Sequence, residues 1–270
     1  MKATVLVDNI KCGDIKGEWG LSIYIENNGK NILLDVGASP LFELNAKKLG
    51  LSIENVDAAV LSHAHYDHSD GMKKFFEENQ KAKFYLRESA RENCYFKKFF
   101  IKKYIGIPKK ILSSYEDRFV FEKSDTEIFD GVWLVPHKTP GLSSIGKREN
   151  MYRKEENSWL PDDFSHEQSL VIETEKGLVI FNSCSHGGAV NIINEVKKTF
   201  PEKNVYALIG GFHLFNKPTA EVREVGKKIK ETGIQYVCTG HCTKEKAFAV
   251  LKEELGERLH QLRVGLVMEF

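Results

Sequence analysis

His63-Ala64-His65-Tyr66-Asp67-His68 gathers three of the chain's nine histidines and an aspartate into six residues. The hexad follows Ala58-Ala59-Val60-Leu61, an apolar run that reads as a buried strand. Side chains two apart on an extended chain share a face, so His63 and His65 can point at one ion. Asp67 and His68 follow where the chain turns, free to face a second. Imidazole and carboxylate are the donors that hold zinc, iron or manganese while leaving a position open for water. Four residues cannot complete two such sites, so further ligands must come from distant loops. Strand ends are where α/β folds gather their sites. Asn182-Ser183-Cys184-Ser185-His186-Gly187-Gly188 follows an expected strand at 178–181 and offers His186. Thr239-Gly240-His241-Cys242-Thr243 follows one at 236–238 and offers His241. Gly210-Gly211-Phe212-His213 ends a strand at 205–209 in the same way, and there a helix-capping or core-edge role competes evenly with a site role.

Outward from these loops the pattern is early strands and later strand–helix alternation. Strands are expected at 4–7, 21–25 and 31–35, separated by turns such as Asn27-Asn28-Gly29. Pro40 opens a helix with Leu41, Leu44 and Leu49 at helical spacing. Further strands are expected at 118–121, 132–135, 169–173 and 178–181, and helices at 189–199, 219–231 and 243–255. Residues 88–105 have a helical rhythm with Phe96, Phe99 and Phe100 on one side, and 147–163 read as a long surface loop. No internal repeat of fixed period is evident. The expectation is one layered α/β domain over 1–270 with an insertion, a lid, at about 73–135.

Composition narrows the function classes. The chain has 270 residues, 39 Lys plus Arg against 38 Asp plus Glu, and a net charge of +1. No apolar run approaches the roughly 18 residues of a membrane span. Asp8 interrupts the N-terminus before a signal-peptide core could form, and the five cysteines make no CxxC pair. A reducing, cytoplasmic setting is expected, with no disulfide scaffold and no membrane partner. The near-zero charge conceals an imbalance. Residues 73–110 hold twelve Lys and Arg against four acids, so this aromatic stretch carries +8 and the rest of the chain −7. Its plain reading is an amphipathic helix with solvated lysines. Its functional reading is a lid whose aromatics stack on a flat ring and whose lysines attract phosphate.

The HAHYDH hexad resembles the HxHxDH signature of the metallo-β-lactamase superfamily. The order around it is similar too, from the early Leu33-Leu34-Asp35-Val36-Gly37 to the late Gly240-His241 loop. Glu18-Trp19-Gly20-Leu21-Ser22, Ser183-Cys184-Ser185-His186 and Gly210-Gly211-Phe212-His213-Leu214, with the loop at 239–243, resemble one branch. Its members are often labelled 7,8-dihydropterin-6-yl-methyl-4-(β-D-ribofuranosyl)aminobenzene 5′-phosphate synthase. The resemblance implies an αββα sandwich and one or two divalent metal ions, zinc first, with iron or manganese as alternatives. It also exposes a departure. Where superfamily members carry a Gly-Asp whose carboxylate bridges both metals, this chain has no acid there, which leaves two alternatives: weak binding of the second ion, or a contribution from the Cys184 thiolate. The usual His-Thr-Pro-Gly loop reads His137-Lys138-Thr139-Pro140-Gly141, which makes His137 a rival to His186.

The favoured assignment is His63, His65 and His186 on a first ion and Asp67, His68 and His241 on a second. Asp67 would also orient the nucleophilic water, His213 would face the substrate as donor or acid, and Asp35 would order the metal loop from behind. The implied activity is metal-dependent hydrolysis of a small, anionic, phosphorylated or ring-containing substrate. A bond-forming synthase, a nuclease of the same superfamily and a non-catalytic or redox metal module are the alternatives. The +1 charge and the lack of an RNA-binding appendage place nucleic acid behind a small molecule.

Overall fold

A computed structural model describes residues 1–270. Two seven-stranded sheets stack face to face. In spatial order the first contains Val267–Glu269, Lys2–Val7, Ser22–Asn27, Lys30–Leu34, Ala58–Val60, Lys83–Arg87 and Phe119–Glu122. The second contains Leu259–Gln261, Tyr236–Thr239, Val205–Gly210, Gly177–Phe181, Gln168–Thr174, Val132–Pro136 and Thr126–Phe129. Between them lie Ile23, Ile25, Leu34, Val60, Leu134, Leu170, Phe181 and Ile209, all fully buried. Burying such a side chain contributes about 1.5–3 kcal/mol.

Helices cover the outer faces because their apolar stripes have nowhere else to go. Phe42 and Ala46 of Leu41–Lys48 and Met72, Phe75 and Phe76 of Met72–Glu78 close the first sheet. Ile192 and Val196 of Ala189–Thr199, Val222 and Ile229 of Thr219–Glu231, and Leu251 of Lys244–Leu255 close the second. The four layers are the αββα sandwich. The early helix turns differently from its leucine spacing: Leu44 is exposed, and the buried residues are Phe42, Glu43, Asn45 and Ala46. Asn45 is drawn inward because its amide donates to the carbonyls of Leu6 and Lys16.

The sheets share a plan that sequence periodicity does not show. In each, four strands are antiparallel and the next three continue parallel. The parallel strands end together at one edge of the sandwich, and there the histidine loops emerge.

Two expectations fail outside this frame. Residues 88–105 form no helix; Tyr95–Lys98 and Ile101–Tyr104 make a β-hairpin. The 147–163 segment is no open loop, since Met151–Glu155 and Ser158–Pro161 pair and join the hairpin in a third sheet. The cause is nonlocal. Tyr95 packs edge-on against Tyr104 at 5.3 Å and Trp159 at 4.9 Å, cross-strand aromatic pairs that a local helical window cannot register. Of the segment 73–135, Lys83–Arg87 and Phe119–Glu122 belong to the first sheet, and Thr126–Phe129 and Val132–Pro136 to the second. The hairpin alone of this segment lies in the third sheet, and its flanks Ala90, Cys94 and Ile107 pack into the core under the first.

Candidate metal centre

Strand Ala58–Val60 runs out through Ser62 and His63, and the chain then makes one helical turn, Tyr66–Ser69. His63 and His65 therefore leave the extended part and Asp67 and His68 the turn. From the facing sheet, the loop after Phe181 brings His186 to within 4.8 Å of the ligand atoms of His63 and His65. The loop after Thr239 brings His241, whose Nε2 lies 3.5 Å from Asp67 Oδ2; His68 Nε2 lies 3.7 Å from the same oxygen. All six residues are buried. His213 sits against His186, ring centroids 4.3 Å apart, and its Nε2 lies 3.8 Å from Glu149.

Hydrogen bonds to one ring nitrogen leave the other aimed inward. His68 Nδ1 meets Asp35 Oδ2 at 2.8 Å. Ser62 donates to the same carboxylate through its hydroxyl, and that hydroxyl contacts His63 Nδ1 at 2.8 Å. Asp35 thus orients two histidines, from a left-handed backbone at φ 56°. On the other side His241 Nδ1 faces Asn9 Oδ1 at 3.3 Å, while the His241 N–H donates to Asp8. These partners fix ring orientation, the arrangement that metal-binding histidines need. The Nε2 atoms of His63, His65, His186 and His241 are buried with no hydrogen-bond partner. Leaving a buried polar group unsatisfied costs about 1–3 kcal/mol, and the ligand atoms of His63, His65 and His186 lie within 4.8 Å of one another, which fits a cation.

The electrostatics of the first triad agree. Burial, with the neighbouring rings, pushes His63 and His186 well below the ordinary imidazole value and His65 to about 3, which keeps them in the neutral form that donates a lone pair. Burial works to raise the Asp67 carboxyl, but His68, His241 and His65 together hold it below the usual carboxylate range.

His137 stands elsewhere. Its Nε2 lies 2.9 Å from Glu167 and its Nδ1 2.8 Å from Glu195. The two carboxylates outweigh burial and hold the imidazole up at about 10. Glu167 also accepts the N–H groups of His186 and Gly187, so His137 steadies the loop that carries His186. Several contributors have little sequence signal. His166, whose Nδ1 accepts the Ala64 N–H, pairs with Asp162 at 3.2 Å; only the spacing of four residues hints at the pair. Trp19, Phe96, Ile105, Met151 and Phe215 wall a cavity of about 150 Å³ whose floor includes His65, Asp67, Cys184 and His213. These walls come from five separate segments, and only Trp19 falls within a stretch that the branch resemblance marks.

Four stacked layers with converging imidazoles at the strand ends define a metal-binding protein of mixed α/β architecture. The family described as Metallo-beta-lactamase superfamily matches residues 20–148. The chain is 30% identical, over 98% of its own length and 98% of the relative's, to 7,8-dihydropterin-6-methyl-4-(beta-D-ribofuranosyl)-aminobenzene-5'-phosphate synthase of Methanocaldococcus jannaschii. Among solved structures, Tm1679, described as a metal-dependent hydrolase of the beta-lactamase superfamily, superposes with a TM-score of 0.84 at 27% identity, covering 100% of this chain and 99% of that one. YhfI from Bacillus subtilis, a metallo-beta-lactamase fold protein, superposes at 0.60 with 13% identity over 100% and 98% of the two chains, a likeness of fold. The chain belongs to the metallo-β-lactamase superfamily. Membership carries an enzyme fold that binds divalent metal. No helix is long and apolar enough to cross a membrane.

Proposed function

We propose that the protein is a two-metal enzyme that hydrolyses a small phosphorylated, ring-containing substrate. The observation that carries this reading is the set of buried, unpartnered Nε2 atoms of His63, His65, His186 and His241, the first three belonging to side chains whose ligand atoms lie within 4.8 Å of one another. His63, His65 and His186 would hold the first ion and Asp67, His68 and His241 the second. A divalent pair supplies Lewis acidity and a water acidic enough to yield hydroxide near neutral pH. Asp67, kept ionised by its neighbours, can accept a hydrogen bond from that water and orient it. His213 lines the cavity with its Nδ1 buried and unpartnered, and would serve as proton donor to a leaving group bound there. Phe96, Met151 and Phe215 give a flat ring an apolar wall and exclude water.

A bond-forming reaction is the second reading, favoured by the synthase of Methanocaldococcus jannaschii at 30% identity. One incubation separates the two. The zinc-loaded protein is given a pterin diphosphate and a ribofuranosyl aminobenzene phosphate in ¹⁸O-water. A hydrolase places ¹⁸O in the products; a synthase joins the pterin to the aminobenzene, releases diphosphate, and leaves both products unlabelled. Metal analysis tests what both share. About two equivalents are expected per chain, falling to trace in His65→Ala, whereas unchanged trace metal in both proteins would sink the reading.

A further inference from the structure

We infer that Cys184 is a thiolate ligand shared by the two metal positions, an assignment that rests on the two-metal reading above. Its sulfur lies 3.3 Å from His68 Nε2 and 3.4 Å from Cys242 Sγ. Ligand atoms within 4.8 Å of one another group it with His63 and His68, with His186 and His213, and with His241 and Cys242. One buried sulfur therefore stands beside nitrogens of both triads: His63 and His186 from the first, His68 and His241 from the second. The Asp67 carboxylate contacts His68 and His241, on the side of the second position.

The loop is built to deliver this sulfur. The Ser185 N–H donates to Asn182 Oδ1 at 2.7 Å, and the Asn182 amide is held by Ser169 at 3.0 Å. Ser185 adopts a left-handed backbone at φ 47°, which turns Cys184 and His186 toward the same space. Gly211 lets the neighbouring loop close in. A Cβ there would lie 2.5 Å from Cys242 Sγ and 2.7 Å from the Ser183 carbonyl.

The chemistry follows from charge and softness. Two divalent cations in neighbouring positions would favour an anionic donor beside both, and His63, His65 and His186 carry no negative charge of their own. A thiolate supplies that anion; its proton passes to solvent as the metal–sulfur bond forms, with no change of oxidation state. Thiolate donors also favour zinc, iron(II) and cobalt(II) over magnesium or manganese. Cys242, whose sulfur accepts the His213 N–H at 3.2 Å, lies beside the second position and serves as a neighbour of the bridge.

The test uses the full chain, stripped of metal under reducing conditions and reloaded with cobalt(II) alone. Wild type is expected to bind two ions and to show an intense near-ultraviolet sulfur-to-cobalt charge-transfer band. The band should persist in Cys94→Ser and Cys242→Ser and vanish in Cys184→Ser, where cobalt affinity falls more than tenfold. Cys184→Asp should recover two ions without the band. If Cys184→Ser fails to fold, persistence of the band in the other two variants still assigns it. Cys12 is exposed and Cys238 sits in the core between the sheets, so neither can supply the sulfur. Two bound cobalt ions with no band, a band surviving in Cys184→Ser, or its loss in Cys242→Ser overturns the assignment. A wild-type chain that takes up no cobalt overturns the two-metal reading beneath it.

Discussion

The two sheets follow one plan but deliver their site residues in opposite ways. In the first, a single loop after Ala58–Val60 supplies His63, His65, Asp67 and His68, with Asp35 behind them at the end of the adjacent strand. In the second, three loops contribute separately: Cys184 and His186 after Phe181, His213 after Gly210, His241 after Thr239. The first half concentrates its ligands in contiguous sequence, where backbone geometry alone sets their spacing. The second half depends on parallel strands ending in register, so that side chains far apart in sequence meet. A concentrated ligand set tolerates local rigidity; a dispersed one requires each loop to be braced from outside.

If the two halves hold one centre, removing a ligand from either should have the same consequence, and this is the largest effect expected. His65→Ala and His186→Ala should each release metal and lower kcat/KM by about a thousandfold or more, since Lewis-acid stabilisation amounts to several kcal/mol. Metal content and turnover, measured together, would break the comparison if one variant kept its metal and most of its activity.

Bracing comes next in size. Asp35 accepts from His68, the Ser62 hydroxyl and the Ser62 N–H, the last at 2.7 Å. Asp35→Asn keeps the shape but replaces one carboxylate oxygen by a donor that opposes them. Loss of a partner behind a metal ligand costs about 10–100-fold in affinity or activity. A metal titration that gave Asp35→Asn the wild-type affinity would show that the loop holds its geometry unaided.

The same contrast explains what could be read in advance. The hexad was legible because strand and turn periodicities fix how its residues point, whatever lies around them. His186 and His241 were legible by position, each just past a strand that opens into a helix. Their braces were not: Asn9 reaches His241 and Glu167 reaches the His186 N–H across sequence gaps that no window spans. Apolar spacing likewise gave the helices Ala189–Thr199 and Thr219–Glu231 to the residue. It misled at 95–104, where Tyr, Phe, Lys and Ile suit either period and the aromatic partner Trp159 decides for strand.

The dispersed half should also carry a pH signature. His137 is held up at about 10 between Glu167 and Glu195, against an ordinary 6.5. A raised folded-state value means stability that is complete below about pH 6.5 and fades as pH climbs to about 10. The slope can reach about 1.4 kcal/mol per pH unit. Urea unfolding of the metal-free protein across that range should show the decline, and His137→Gln should flatten it. A wild-type profile already flat there would mean that the ion pairs do not brace the His186 loop.

The smallest effect concerns the hairpin over the cavity, whose two faces the register separates. Phe96 pairs with Lys103, Lys98 with Ile101 and Lys97 with Lys102. Cross-strand partners and alternate residues share a face, so Lys98 and Lys103 lie on the side where Phe96 walls the metal cavity. Lys97 and Lys102 lie on the other side, over Tyr152 at 5.6 Å and Trp159 at 4.3 Å. Of these four lysines, only Lys98 and Lys103 therefore share the face of Phe96. Each exposed charge contributes up to about 1 kcal/mol toward an anion. Replacing Lys98 and Lys103 with Ala should raise KM for a phosphorylated substrate about tenfold and leave a neutral ester unchanged, with the loss shrinking at high salt. Replacing Lys97 and Lys102 should leave both within about twofold, because those side chains are engaged with rings behind the hairpin. Equal losses from the two pairs would mean that the hairpin acts through diffuse charge rather than through one face.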